Sequence, residues 1–172
     1  MKTKLVALLT LLLTLLLCSS CFSPVLPFGG NGSFSTTPRE FSKDGITLTL
    51  TESFEEKESE MGFYAYYTSS RGGVMVLKEA FTLDAGLENK TLEEYIASVI
   101  ANNGLTDVIP VMKDELIYYT KVETILGRAI RYFSFAYKGT DSFWIVQFGC
   151  YVSDLSEMEP LIMGWAKSVT VA

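Results

Sequence analysis

Ile46-Thr47-Leu48-Thr49-Leu50 alternates apolar and polar residues at period two, the pattern of a strand with one buried face. Arg39 to Ser42 reads as extended chain before it, and Asp44-Gly45 supplies a turn between the two. The acidic segment Glu52 to Glu60 reads as a solvated loop or sheet edge. Two further strands follow, Gly62 to Tyr67 and Gly73 to Ala80, separated by an Arg71-Gly72-Gly73 turn. The period then changes. Leu92, Tyr95, Ile96, Val99 and Ile100 recur at helical spacing, and Thr91-Leu92-Glu93-Glu94 has the form of a capping box, with Asn103-Gly104 as the stop.

After this helix the chain returns to strands. Val108 to Met112 reads as a short one. Glu115 to Thr124, Arg128 to Tyr137 and Ser142 to Val152 form an antiparallel meander, turned at Leu126-Gly127 and at Lys138-Gly139-Thr140-Asp141. A second helix spans about Ser156 to Lys167, with Met158, Leu161, Ile162 and Trp165 on one face and Pro160 tolerated in its first turn. Val169 to Val171 closes the chain as a short strand. Three strands, a helix, three or four strands and a helix predict an α+β layer architecture, with no internal repeat.

The element order, the single helix after the third strand, the Leu126-Gly127-Arg128-Ala129 hairpin, the Lys138-Gly139 turn before an aromatic strand, and the final helix running into Ser168-Val169 resemble the Mog/PsbP-like fold. The resemblance covers residues 39–172. It implies a single twisted antiparallel sheet of six to seven strands flanked by two or more helices. That superfamily includes many small bacterial lipoproteins of unassigned function, and its members act mostly as accessory or binding proteins. No catalytic set carries over to any position of this chain.

Ahead of the domain, Lys2 and Lys4 precede an apolar run from Leu5 to Leu17 and then Cys18-Ser19-Ser20-Cys21. The run is long enough for a secretory signal and short of the roughly 20 residues a membrane span needs. Residues 1–20 are therefore expected to be a cleaved signal peptide. The small residues before Cys21 resemble the lipobox of bacterial lipoproteins, which implies cleavage before Cys21, a diacylglyceryl (palmitate-type) anchor on it, and an extracytoplasmic location at a bacterial membrane. Cys18 stands where a lipobox usually has Leu, so ordinary secretion with a free Cys21 is the alternative, and acylation of Cys18 a lesser one. Residues 21–38, with three prolines and three glycines from Phe22 to Pro38, read as the lipidated cysteine and a flexible linker. A coil of that length spans about 20–25 Å. Val25, Leu26, Phe28 and Phe34 are scattered along it; they could dock on a partner or on the domain, but a plain tether is the expectation.

Charge and composition narrow the function. Lys2 and Lys4 belong to the signal, so the remainder carries 12 basic against 20 acidic residues, a net charge of −8. Such a domain is repelled by phosphate and anionic lipid, which argues against nucleic acid and leaves the lipid to hold it at the membrane. The chain has no histidine, which excludes Ser-His-Asp and Cys-His catalysis and imidazole zinc sites. Its glycine-rich pieces match neither a phosphate loop nor a dinucleotide fingerprint. Cys150 continues the apolar face of Trp144, Val146 and Phe148, the place of an inert buried thiol. No catalytic residue, cofactor or metal is expected.

Two candidate sets remain. Asp84, Asp107, Asp114, Glu115, Asp141 and Asp154 fall at loops or strand ends, where a pair could serve acid/base or cation chemistry, although solvated turns explain them as well. Aromatic residues occupy both phases of their strands. Either layers cover both faces of the sheet, or one face presents a binding surface, for which Tyr64, Tyr66, Tyr118, Tyr132 and Trp144 are the candidates. The expected function is a membrane-anchored binding or assembly module with an envelope protein or small molecule as partner. A carboxylate- or cation-dependent envelope enzyme and a solute-capture lipoprotein serving a transporter are the alternatives.

Overall fold

The computed structural model describes Phe28, residues 33–58 and residues 62–172. The expected signal peptide, Cys18, Cys21 and most of the expected linker lie outside the described residues. The described residues form ten strands: β1 Pro38–Lys43, β2 Ile46–Thr51, β3 Glu55–Glu56, β4 Ala65–Thr68, β5 Gly72–Ala80, β6 Val111–Lys113, β7 Leu116–Ile125, β8 Arg128–Lys138, β9 Ser142–Tyr151 and β10 Thr170–Val171. Among the described residues two α-helices accompany them, α1 Leu92–Asn102 and α2 Leu155–Ser168.

The strands divide into two antiparallel sheets rather than the single sheet expected. Seven run in the order β3-β4-β5-β9-β8-β7-β6, and three in the order β1-β2-β10. The split arises because β2 pairs with the last strand of the chain, Thr47 opposite Thr170 and Ile46 opposite Val171. Otherwise the meander β7-β8-β9 stands as read, and β9 at its end pairs with β5 along its whole length, from Gly72 opposite Cys150 to Ala80 opposite Ser142. Within the acidic segment, Glu55 and Glu56 form a sheet edge beside Thr68 and Tyr67, one of the two readings of its sequence.

Leu126 and Gly127 turn β7 into β8 with both residues at positive φ, 49° and 76°, the two-residue turn whose twist matches that of the strands. Asp114 and Glu115, at 51° and 66°, make the same turn between β6 and β7 without a glycine.

Helix α1 starts as its sequence dictates. The Thr91 side chain accepts from the Glu94 N–H at 3.2 Å, and the Glu94 carboxylate accepts from the Thr91 N–H at 2.8 Å. Thr91→Ala is expected to cost about 1 kcal/mol, within the roughly 0.5–2 kcal/mol range of N-cap deletions, read as a shift of the urea midpoint at constant slope. Helix α2 begins one residue earlier than expected, after a 3₁₀ turn at Val152–Asp154. Pro160 consequently sits in the second turn. The carbonyl it leaves without a donor belongs to Ser156, which is exposed and open to water.

Three layers result. The core between the seven-stranded sheet and the layer of α2 with β1-β2-β10 contains Leu48, Leu50, Tyr67, Phe135, Trp144, Phe148, Met158, Ile162 and Trp165. On the opposite face α1 covers Ile117, Tyr119, Ala136, Phe143 and Ile145. Beside it, a smaller cluster of Phe63, Met75, Ile130, Tyr132 and Tyr151 closes under Phe28. The Ser168 hydroxyl joins the end of α2 to β2, accepting from the Thr49 N–H at 2.9 Å. The last residue ties the sheets together: Ala172 donates to the Gly45 carbonyl and accepts from the Thr140 N–H, both at 2.9 Å.

Candidate binding surfaces

The aromatic residues singled out from sequence do not form one surface. Trp144, on the central strand β9, has no exposed area, and Tyr118 and Tyr132 are also buried. Tyr64 and Tyr66 are half-buried. Tyr64 meets the edge of Trp144 at 5.1 Å and donates its hydroxyl to the Asp44 carbonyl at 2.7 Å, so it joins β4 to the β1-β2 turn. Tyr118 packs on Phe135 in the same layer, whereas Tyr66 and Tyr132 belong to the opposite face, with Met75 and Tyr151. Both phases of the strands are apolar because both faces are covered: α1 and the Phe28 cluster lie on one, α2 and the second sheet on the other.

Burial marks these tyrosines electrostatically. It pushes the Tyr67 phenol up to about 12, with the Glu56 charge adding to the effect. Tyr95, stacked on Phe143 at 4.1 Å and donating to the Glu79 carboxylate at 2.9 Å, is held far above the ordinary value, first by burial and then by Glu79. Tyr132 and Tyr137 are raised for the same first reason. Burial and then the charge of Asp154 push the Cys150 thiol up to about 11, which leaves it protonated and unreactive at neutral pH.

The candidate carboxylates disperse. Asp114 pairs with Lys167 at 3.0 Å, Asp141 with Lys78 at 3.5 Å, and Asp154 with Arg71 at 3.5 Å. Asp84, Asp107 and Glu115 are exposed in separate turns. Among the described residues no three Asp, Glu, Cys or His side chains gather as metal ligands.

A feature that the strand pattern did not reveal is the inequality of the two edges of the large sheet. At one edge, β3 is two residues long and charged, with Glu56 paired to Lys43 at 3.0 Å and Glu55 to Lys57 at 2.6 Å. Short, charged edges resist pairing with another chain. At the other edge, β6 covers only Leu116 to Tyr118 of β7, and residues 119–125 have no strand partner on that side among the described residues. Ile109 is 77% exposed, Met112 66% and Val122 48% along this margin. The signal was present in Ile109-Pro110-Val111-Met112, an apolar stretch with a proline too near the strand start for a long edge strand.

No family model matches the sequence, nor does any curated protein. Solved structures do share the fold. A protein of Bacteroides thetaiotaomicron matches at 10% identity over 80% of this chain, with a TM-score of 0.56, and this chain spans 49% of its length. The Saccharomyces cerevisiae Ran-binding protein Mog1p matches at 12% identity over 80% of this chain and 96% of its own, with a TM-score of 0.51. CyanoP, the cyanobacterial PsbP of Synechocystis, matches at 14% identity over 83% of this chain and 99% of its own, with a TM-score of 0.48. The α+β order, the antiparallel seven-stranded sheet and its covering helices place this chain in the Mog/PsbP-like fold.

Proposed function

We propose that the protein is a lipid-anchored extracytoplasmic binding or assembly module that recruits an envelope protein through the β6–β7 edge of its large sheet. The observation that carries the binding role is that, among the described residues, β7 has no strand partner on its outer side over residues 119–125, a margin along which Ile109, Met112 and Val122 are exposed. Open backbone donors and acceptors offer main-chain pairing to an extended segment, and alternate side chains give it specificity. The anchor rests on Lys2, Lys4, the Leu5–Leu17 run and Cys21. Among the described residues no helix is long and apolar enough to cross a membrane, which is compatible with a lipid doing the anchoring. The yeast protein of this fold carries the name Ran-binding protein. For this chain that supports only the use of the scaffold for binding, and Ran is not implied. The module is not an enzyme in this reading.

Photocrosslinking residues placed at Met112 and Val122 test it in the cells that make the protein, with Glu40 on β1 as the control position. Reproducible capture of one envelope protein from the two edge positions, absent from Glu40 and lost in the Val122→Asp chain, is the expected result. Val122→Asp alters an exposed side chain, so the folding free energy should stay within about 0.5 kcal/mol of the parent. Capture that is equal from Glu40, or that survives Val122→Asp, removes the edge from the account. Cys21→Ala separately tests the anchor: the protein should leave the membrane fraction and lose metabolic lipid label.

A further inference from the structure

Phe28 was expected to belong to a plain tether, yet it is 3% exposed. Its ring lies on a patch of bare backbone. Gly73 on β5 stands directly opposite Gly149 on β9, and the two glycines open a floor where any other pair would raise side chains. A Cβ on Gly73 would lie 2.9 Å from the Phe28 ring, and one on Gly149 would lie 3.0 Å from it. Tyr151 forms a wall, meeting the phenyl ring edge-on at 5.0 Å, and the Arg128 guanidinium lies 3.5 Å from the centre of the Tyr151 ring. The Tyr151 hydroxyl is buried and donates to the Phe28 carbonyl at 2.6 Å. Ring and backbone of one linker residue are therefore recognised together, by apolar contact and by a hydrogen bond that a buried phenol needs.

We propose that this glycine-floored notch is a seat for the linker's own Phe28, and that seating shortens the tether and turns the notch end of the domain toward the bilayer. The seat stands on the contacts alone, and its effect on orientation rests on the lipid anchor proposed above. Phe34 already packs against the main core and Thr37 accepts from the Glu52 N–H, so without the seat the tether runs 13 residues from Cys21 to Phe34; with it, seven residues from Cys21 to Phe28. Fully extended chain reaches at most about 3.6 Å per residue, so the greatest distance from anchor to domain falls from about 47 Å to about 25 Å when Phe28 is seated. Rotation of the domain about its tether is restricted with it, because the point of attachment moves from Phe34 to the face of the central strands.

A double-mutant cycle on the full mature chain tests the seat. The heavy atoms nearest to a Cβ on Gly73 are Phe28 ring atoms at 2.9 and 3.7 Å and the Tyr67 carbonyl oxygen at an ordinary 3.6 Å, so the tight contact is with the ring. Phe28→Ala should lower the folding equilibrium constant by about tenfold to a hundredfold, the value of one buried phenyl group. Gly73→Ala should lower it at least as much in the parent and by less than about threefold in the Phe28→Ala chain, because the clash is with the ring. Additive effects overturn the seat. Orientation is read on vesicles by paramagnetic broadening of labels at Leu126, near the notch end, and at Thr140, at the opposite turn, by a headgroup radical. The Leu126 label should be the more strongly broadened in the parent, and the difference should vanish in Phe28→Ala. Equal broadening in the parent overturns the orientation. A coupled cycle in a protein that does not bind vesicles overturns the anchor and leaves the seat standing.

Discussion

Trp144→Ala should lower the stability of the domain by about 3–5 kcal/mol, the range for removing a fully buried aromatic side chain and leaving a cavity. That is a large share of the roughly 5–15 kcal/mol that holds a domain of this size together. The cost follows from position. Trp144 lies on β9, the middle strand of seven, and its indole fills the corner where the two sheets meet: Tyr64 contacts it edge-on, the Lys78 ammonium lies 4.9 Å from its ring, and the β1-β2 turn at Gly45 packs beside it. Deleting the ring unseats both the Tyr64 strap and that turn. The indole N–H, however, is buried without a hydrogen-bond partner among the described residues. Trp144→Phe removes that unpaired donor together with part of the area, and should cost no more than about 1–2 kcal/mol. Urea unfolding followed by circular dichroism separates the two variants. A loss below about 1 kcal/mol for alanine, or equal losses for the two, would contradict the corner role.

The second large effect is alkaline unfolding. A phenol whose pKa is raised by folding contributes stability that is whole below the unfolded value near 10 and is lost as pH rises through the raised one. Tyr67, pushed up to about 12, behaves in this way, as do Tyr95, Tyr132 and Tyr137, whose raised values share desolvation as the leading cause. Cys150, pushed up to about 11, begins the loss from its unfolded value near 8.5. Each group that folding keeps protonated steepens the decline by up to about 1.4 kcal/mol per pH unit, so several together should unfold the protein cooperatively above pH 10. Near neutrality there is no histidine to titrate. On the acid side, Asp114 is lowered by its hydrogen bond and ion pair with Lys167, and Asp141 by Ser142 and then Lys78. Their contribution is whole above about pH 4 and lost below it; both are exposed, so it is small. Tyrosinate absorbance at alkaline pH should rise in one step coincident with loss of circular dichroism. Ionisation of all tyrosines near pH 10 in a still folded chain would refute the account.

Local signals in this sequence were read correctly because local physics determines them. Thr91 and Glu94 cap α1 through atoms three residues apart, and the Leu126-Gly127 turn carries its register in two residues. The pairing of Ile46 with Val171 is of another kind. The alternation at Ile46 to Leu50 specifies a strand with a buried face, but its neighbour is chosen by the packing of α2, so the second sheet was illegible. Asp114 and Glu115 adopt left-handed backbone that no glycine announces. The aromatic residues left two readings open for a related reason: Trp144 and Tyr118 have the composition of a core as much as of a binding surface, and the placement of α2 decides for core. Phe28 was hidden by the prolines and glycines around it, since its partners Gly73 and Gly149 are distinguished by what they lack.

The order of pairing also constrains how the protein comes into being. β5 finds its neighbour β9 only after some 70 further residues, and β2 finds β10 about 120 residues later. A chain that emerges N-terminus first, from a ribosome or an export channel, therefore holds its first five strands with no central strand to complete them until the last 30 residues appear. Contacts so distant in sequence form slowly. Local hairpins such as β1–β2 and β7–β8 can pair early, but neither sheet is completed before β9 and β10, so a truncation that removes β9 should yield no cooperatively folded domain.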